Sequence, residues 1–204
     1  MLSHESSLHH TSTKQLFASD LHYSSWATRR LLEACAALSA EELERDLRLS
    51  HKNILSTLQH ICDGERIWLD CLSTTAAGGN WTLPPDPAPK LTLNDLAQKW
   101  PDLWQGYEKW LVELPDAASE LEAEVFVKIP DGRVPRFTRW HILRHVLDHS
   151  QFHRGQLIGM IRNLGHRLQQ SIAEITGWST ELANDPSSKV VPQTKANLEQ
   201  SNFQ

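Results

Sequence analysis

Thr138-Arg-Trp-His141-Ile-Leu-Arg-His145-Val-Leu-Asp-His149-Ser-Gln-Phe-His153-Arg-Gly-Gln156-Leu-Ile-Gly-Met160-Ile-Arg-Asn-Leu164-Gly165 is the stretch that decides the fold. Apolar residues recur along it at helical spacing, no proline interrupts it, and Gly165 supplies a natural C′ stop. A helix of this length must lay its apolar stripe against other helices. Three candidates precede it. Lys14 to Leu38 carries Leu16, Phe17, Leu21, Trp26, Leu31, Leu32 and Cys35 in helical register. Ser50 to Leu72 carries Ile54, Leu58, Ile61, Trp68 and Leu72. Thr92 with Asp95 opens a third helix that runs to Leu114, before Pro115. Ser39-Ala-Glu-Glu42 is a capping box for one short turn.

Other segments break the helical pattern. Residues 73–90 hold Gly78-Gly79 and four prolines, which predicts a loop long enough to cover a cleft. Glu124 to Ile129 alternates and Asp131-Gly132 follows, which predicts a short hairpin. A further helical piece is expected over Ser171 to Leu182. The fold class is therefore all-α, a four-helix bundle with a small β-hairpin insertion. The expected domain covers 13–183, and the polar, aperiodic segments 1–12 and 184–204 read as flexible tails.

The 204 residues suffice for one domain with a real core. Hydrophobic residues at 40% and charged residues at 22% exclude a chain disordered throughout. The net charge of -5 argues against binding nucleic acid or an anionic membrane. No apolar run is long enough for a membrane span, and the N-terminus lacks a secretory pattern. Cys35, Cys62 and Cys71 are odd in number and contain no CxxC pair, so a reducing cytoplasm is expected and the thiols read as small core residues. The eight tryptophans suit core aromatics, a pocket or a homodimer interface.

The histidines carry the functional signal. On a helical wheel with Ile142 at zero, His149, His153, Val146, Met160 and Leu164 fall within about 40°, His145 about 60° away and His141 about 100° away. This places His149 and His153 at the centre of the expected buried stripe and His141 outside it. Buried imidazoles need partners for their nitrogens. A pair at i, i+4 can bind one ion, and a third ligand is then needed from a facing helix. His60, beside the stripe residue Ile61 and one turn before Gly64, is the leading candidate. The chain has no HExxH and no Glu-x-x-His, which sets aside that metalloprotease class and the di-iron carboxylate bundle. A three-histidine site for one divalent ion, zinc or nickel, remains.

Three motifs together resemble the DinB-like (damage-inducible) metal-binding four-helix bundle proteins of bacteria. They are Tyr23-Ser-Ser-Trp26-Ala-Thr-Arg-Arg-Leu-Leu32, Ser56-Thr-Leu-Gln-His60-Ile-Cys-Asp-Gly-Glu65-Arg-Ile-Trp68-Leu, and His145-Val-Leu-Asp-His149-Ser-Gln-Phe-His153-Arg-Gly-Gln156-Leu. The similarity spans residues 14 to 170, and the last motif is the most specific. The resemblance implies the DinB-type bundle and a divalent metal held at His60, His149 and His153. It does not fix the reaction: some members of the family are S-transferases that use low-molecular-weight thiols, and many have no known activity.

Three neutral imidazoles leave an ion's charge undiminished and a coordination position open, the pattern of a catalytic site. The first expectation is thus a metal-dependent thiol S-transferase acting on a small molecule. A metal-dependent hydrolase is the nearest alternative. A non-enzymatic stress-response or interaction protein with a structural metal is the alternative from another class. Glu65 and Asp148 are candidate partners of a ligand histidine, although surface or interface charge is the preferred reading of both. Arg154 and Gln156 are candidates for a hydrogen-bond network around the site or simply for capping helix contacts, and Gly155 for close helix packing.

Overall fold

The computed structural model describes residues 12–49, 51–84, 89–115, 117–168 and Trp178. Four long helices form a bundle: α1 (Thr13–Cys35), α3 (Ile54–Ala76), α4 (Leu93–Glu113) and α6 (Arg139–Asn163). Two short helices, α2 (Ala40–Glu44) and α5 (Ala118–Glu122), lie in the connections. Helix α3 packs on α4 and α6, and α1 packs on the same two from the opposite corner. The bundle is therefore a square with α1 and α3 on one diagonal.

Local chemistry fixes the helix starts. Ser12, Ser39 and Thr92 each form a full capping box, with Gln15, Glu42 and Asp95 respectively. Asn53 caps α3 and Thr138 caps α6 through single side-chain bonds. Gly165, at φ 90°, ends α6 as expected. Ser12 thus caps a helix rather than belonging to a tail. The remaining expected tail residues, 1–11 and 184–204, lie outside the described residues, as does the piece over 171–182 apart from Trp178.

The hairpin is present as β2 (Glu124–Lys128) and β3 (Arg136–Thr138), antiparallel, with Val125 opposite Phe137. The segment expected to be wholly loop differs. Helix α3 continues to Ala76, and β1 (Trp81–Thr82) pairs parallel with β2, Trp81 opposite Val127. A buried indole drives this: Trp81 is 5% exposed, and its Nε1 donates to Asp70 Oδ2 at 2.6 Å. Burying that large ring against α3 outweighs the breaking tendency of Gly78-Gly79 before it.

The core has two apolar regions. One joins Leu72, Trp81, Tyr107, Trp110, Leu111, Val125, Ile142 and Leu143 near the sheet. The other joins Leu31, Ile54, Leu58, Ile61, Leu96, Trp100, Leu157 and Met160. Between them in sequence on α1, α3 and α6 lie the buried polar residues Ser24, Thr28, Glu65, Ser150, His153 and Arg154. A polar belt therefore crosses the bundle at mid-height. All three cysteines are free and buried, and burial pushes each thiol up to about 12. No helix of the described chain is long and apolar enough to cross a membrane.

Candidate metal centre

Helix α6 buries a wider face than one stripe. Leu143, Leu147, Ser150, Arg154, Leu157 and Ile161 are buried together with Ile142, Val146, His153 and Met160. The centre of this face is displaced by about 70° from Ile142 on the wheel. The cause is that α6 packs on both α1 and α3, so two neighbours cover it. His149 is consequently half-buried at the edge of the face, not at its centre. His141 is exposed and bonds Thr138 Oγ1 at 2.8 Å, which agrees with its outward place on the wheel. His145 is exposed and meets Trp68 edge-on, the ring centroids 5.6 Å apart.

The α3-facing edge brings His60, His149 and His153 together. His149 Nε2 lies 2.9 Å from His60 Nε2. The ring centroids of His60 and His153 are 4.7 Å apart, and those of His149 and His153 4.5 Å. Gly64 makes room for the approach. A Cβ there would stand 3.2 Å from His149 Cε1, closer than ordinary contact. Gly155, by contrast, is exposed, and among the described residues nothing lies within 4 Å of where its Cβ would stand, so they do not show its expected packing role.

A fourth imidazole joins the three. The ring of His51, in the loop before α3, stacks on His60 with centroids 3.9 Å apart and 22° between planes. One nitrogen each from His51, His60 and His153 lies within 4.8 Å of the others. Helical periodicity cannot find His51, because it precedes the helix. Its only sequence signal is its place two residues before the α3 cap, Asn53.

The donors fit a divalent ion of borderline softness: among the described residues, the group that converges is made of imidazoles. His153 Nδ1 bonds Gln156 Oε1 at 2.8 Å. An amide oxygen only accepts, so Nδ1 carries the proton and Nε2 keeps its lone pair for a ligand. Gln156 is therefore the orienting partner, from the pair proposed for a network. Its expected companion, Arg154, instead bonds Ser24 Oγ at 2.8 Å and Thr28 Oγ1 at 3.2 Å, tying α6 to α1.

The two carboxylates part ways. Asp148 is exposed and pairs with Arg144 at 2.8 Å, an ordinary helix-surface contact. Glu65 is 3% exposed, so of the surface and interface readings only an interface between helices fits. Its oxygens accept from Ser150 Oγ and Trp100 Nε1, both at 2.7 Å. Burial raises its pKa, while those donors and the Arg154 charge pull the other way. It bonds no histidine and serves to lock α3, α4 and α6 beside the cluster.

A model of the DinB family matches residues 10–182. The chain is a member of the DinB family. No curated protein matches it. The DinB-family bundle expected from the three motifs is thus the fold observed. Within this DinB-family chain, the second and last motifs face each other across α3 and α6 and form the histidine cluster.

Burial, followed by neighbouring imidazoles, lowers His60 and His149 from 6.5 to about 4. Both are neutral at pH 7 and able to ligate. Proton competition for an ion at these two rings therefore sets in toward pH 4 rather than near the 6.5 of an unperturbed imidazole. The sign for stability follows. In the unfolded chain the rings take protons below about 6.5, and in the folded metal-free chain only near 4. Their contribution is complete above pH 6.5 and lost as pH falls toward 4. Denaturant midpoints of metal-free protein across that range should fall more for wild type than for His60→Ala/His149→Ala. Equal falls would contradict the assignment.

Gly64→Ala supplies a second check. Alanine favours a helix interior by roughly 1 kcal/mol, so the fold should survive. The new methyl meets the His149 ring, so metal affinity should drop, read by calorimetric titration with zinc. Unchanged affinity would show that the His149 ring does not need the space at Gly64.

Proposed function

We propose that this protein is a metal-dependent thiol S-transferase, with one divalent ion, zinc or nickel, held by His60, His149 and His153. A low-molecular-weight thiol and a small-molecule electrophile are its substrates. The observation that carries the reading is the convergence of neutral imidazoles at a half-buried edge of a DinB-family bundle. When bound, the ion supplies Lewis acidity that favours the deprotonated form of a thiol.

The chain's own residues have separable roles. Gln156 holds the His153 tautomer, and Gly64 admits the His149 ring. Glu65 fixes the register of α3 against α6 through Ser150, the residue after His149. Phe152 is 62% exposed and touches His153 edge-on at 5.0 Å between centroids. It offers an apolar face to an electrophile entering beside the cluster. Gln59, the neighbour of His60, bonds Pro89 O at 2.7 Å and Leu91 N at 3.1 Å. It pins the end of the long 77–92 connection to α3 near the cluster. The protein's own thiols are buried and held in their protonated form, so the nucleophilic sulfur has to arrive on a substrate.

One observation favours the rival reading of a structural metal: the fourth imidazole, His51. Four protein ligands make a closed site, which suits a stress-response or interaction protein better than an enzyme. A hydrolase would use the same ligands without a thiol. The deciding assay mixes metal-loaded protein with several bacterial thiols and a chromogenic electrophile, beside metal-free protein and His153→Ala. The transferase reading predicts a thiol-dependent rate only with the loaded wild type. Rates equal to the controls for every thiol would replace it with the structural reading, and turnover without thiol with the hydrolase.

A further inference from the structure

We infer that His51 is a fourth, exchangeable ligand of the metal centre, one that yields its place to an incoming thiol. The inference rests on the metal reading above and concerns a residue outside the predicted triad. His51 stands over His60 at 3.9 Å between ring centroids and meets His153 at 5.0 Å. A nitrogen of each of these three rings lies within 4.8 Å of the others. Among the described residues, the His51 imidazole makes no hydrogen bond. Two neutral rings stacked face to face gain little from each other, whereas nitrogens converging from three chain segments are what a cation requires.

The loop holds His51 in this place actively. Lys52 sits in the left-handed region at φ 64°, where a β-carbon is disfavoured. The turn is closed by Lys52 N donating to Leu49 O at 2.8 Å and Leu47 N to Lys52 O at 2.7 Å. Asn53 Nδ2 ties it to Glu44 O at 3.2 Å. That bonded turn brings the His51 imidazole against two others, His60 and His153.

The difference in support decides which ligand leaves. His60, His149 and His153 stand on two long helices packed in the core, and Gln156 orients His153. His51 stands on the connection between α2 and α3. It can move with the turn while the helices stay in place. The site can therefore be four-coordinate through protein at rest and open when a thiol competes. This reconciles a fourth imidazole with an enzymatic role.

The test uses full-length, tag-free protein loaded with cobalt(II), whose visible absorption bands report coordination, and compares wild type with His51→Ala. His51 lies outside every helix, and unchanged far-ultraviolet circular dichroism would show that the variant folds. The inference predicts one cobalt per chain in both, weaker binding in the variant, and a changed spectrum that added imidazole restores. With saturating 2-mercaptoethanol the two proteins should converge on one spectrum. Identical affinity and spectra without thiol would overturn His51 as a ligand. Spectra that stay different under thiol would overturn the exchange. Wild type that binds no cobalt would overturn the three-histidine reading itself, and this inference with it.

Discussion

Glu65→Ala is expected to destabilise the protein by about 3–5 kcal/mol, the range for stripping one partner from a buried charged network. A domain of this size has only about 5–15 kcal/mol of stability, so the variant should stand near unfolding at room temperature. The effect is large because the carboxylate is a junction. Trp100 Nε1 from α4 and Ser150 Oγ from α6 both donate to it at 2.7 Å, and the main-chain oxygen of Glu65 accepts from Tyr107 at 2.6 Å. Alanine would leave a buried indole N–H and a buried hydroxyl without acceptors, at about 1–3 kcal/mol each. It would also leave Arg154, 5% exposed, without the negative charge nearest to it in the belt. Glu65→Gln keeps the shape and one acceptor and should cost less than alanine. Urea denaturation measures both. A loss below about 1 kcal/mol for Glu65→Ala would show that the belt is not what holds α3, α4 and α6 together.

The second large effect concerns the metal. His60→Ala, His149→Ala and His153→Ala should each lower divalent-metal affinity by more than about 100-fold, beyond the 10–100-fold typical of losing an outer partner. His141→Ala should leave it unchanged, since His141 is exposed and bonded to its own helix cap. Thermal stability gives an independent reading. Metal at about 100 times its dissociation constant should stabilise wild type by about 2.7 kcal/mol, a shift in midpoint of several degrees. The three cluster variants should show little of that shift at the same concentration, and His141→Ala all of it. Equal shifts in all four would place the metal elsewhere.

The parts of this protein legible from sequence share one property: they follow from local, periodic chemistry. Capping boxes at Ser39 and Thr92 and the Gly165 stop are set by residues within a few positions of one another. The closeness of the His60, His149 and His153 rings was reachable because i, i+4 spacing on α6 is arithmetic and His60 stands beside an apolar stripe. The misses are tertiary. Glu65 reads no more narrowly than surface or interface charge because nothing within α3 announces the donors that α4 and α6 bring to it. The buried face of α6 is broader than its apolar stripe because Arg154 and Ser150, both polar, face α1 and Glu65. Trp81 joins a sheet because Asp70 and Val127 wait for it from distant segments. His51 lies in a loop, where no period exists to mark it, and only the turn at Lys52 brings it over His60.

Metal analysis of tag-free protein tests the central claim most directly. Wild type and the triple variant His60→Ala/His149→Ala/His153→Ala should be purified side by side, dialysed identically and assayed by elemental analysis. Tag-free material matters because the only other histidine pair in sequence, His9-His10, lies far along the chain from the cluster. The account predicts roughly one divalent ion per chain in wild type and none above background in the variant. Equal metal in the two proteins would contradict it.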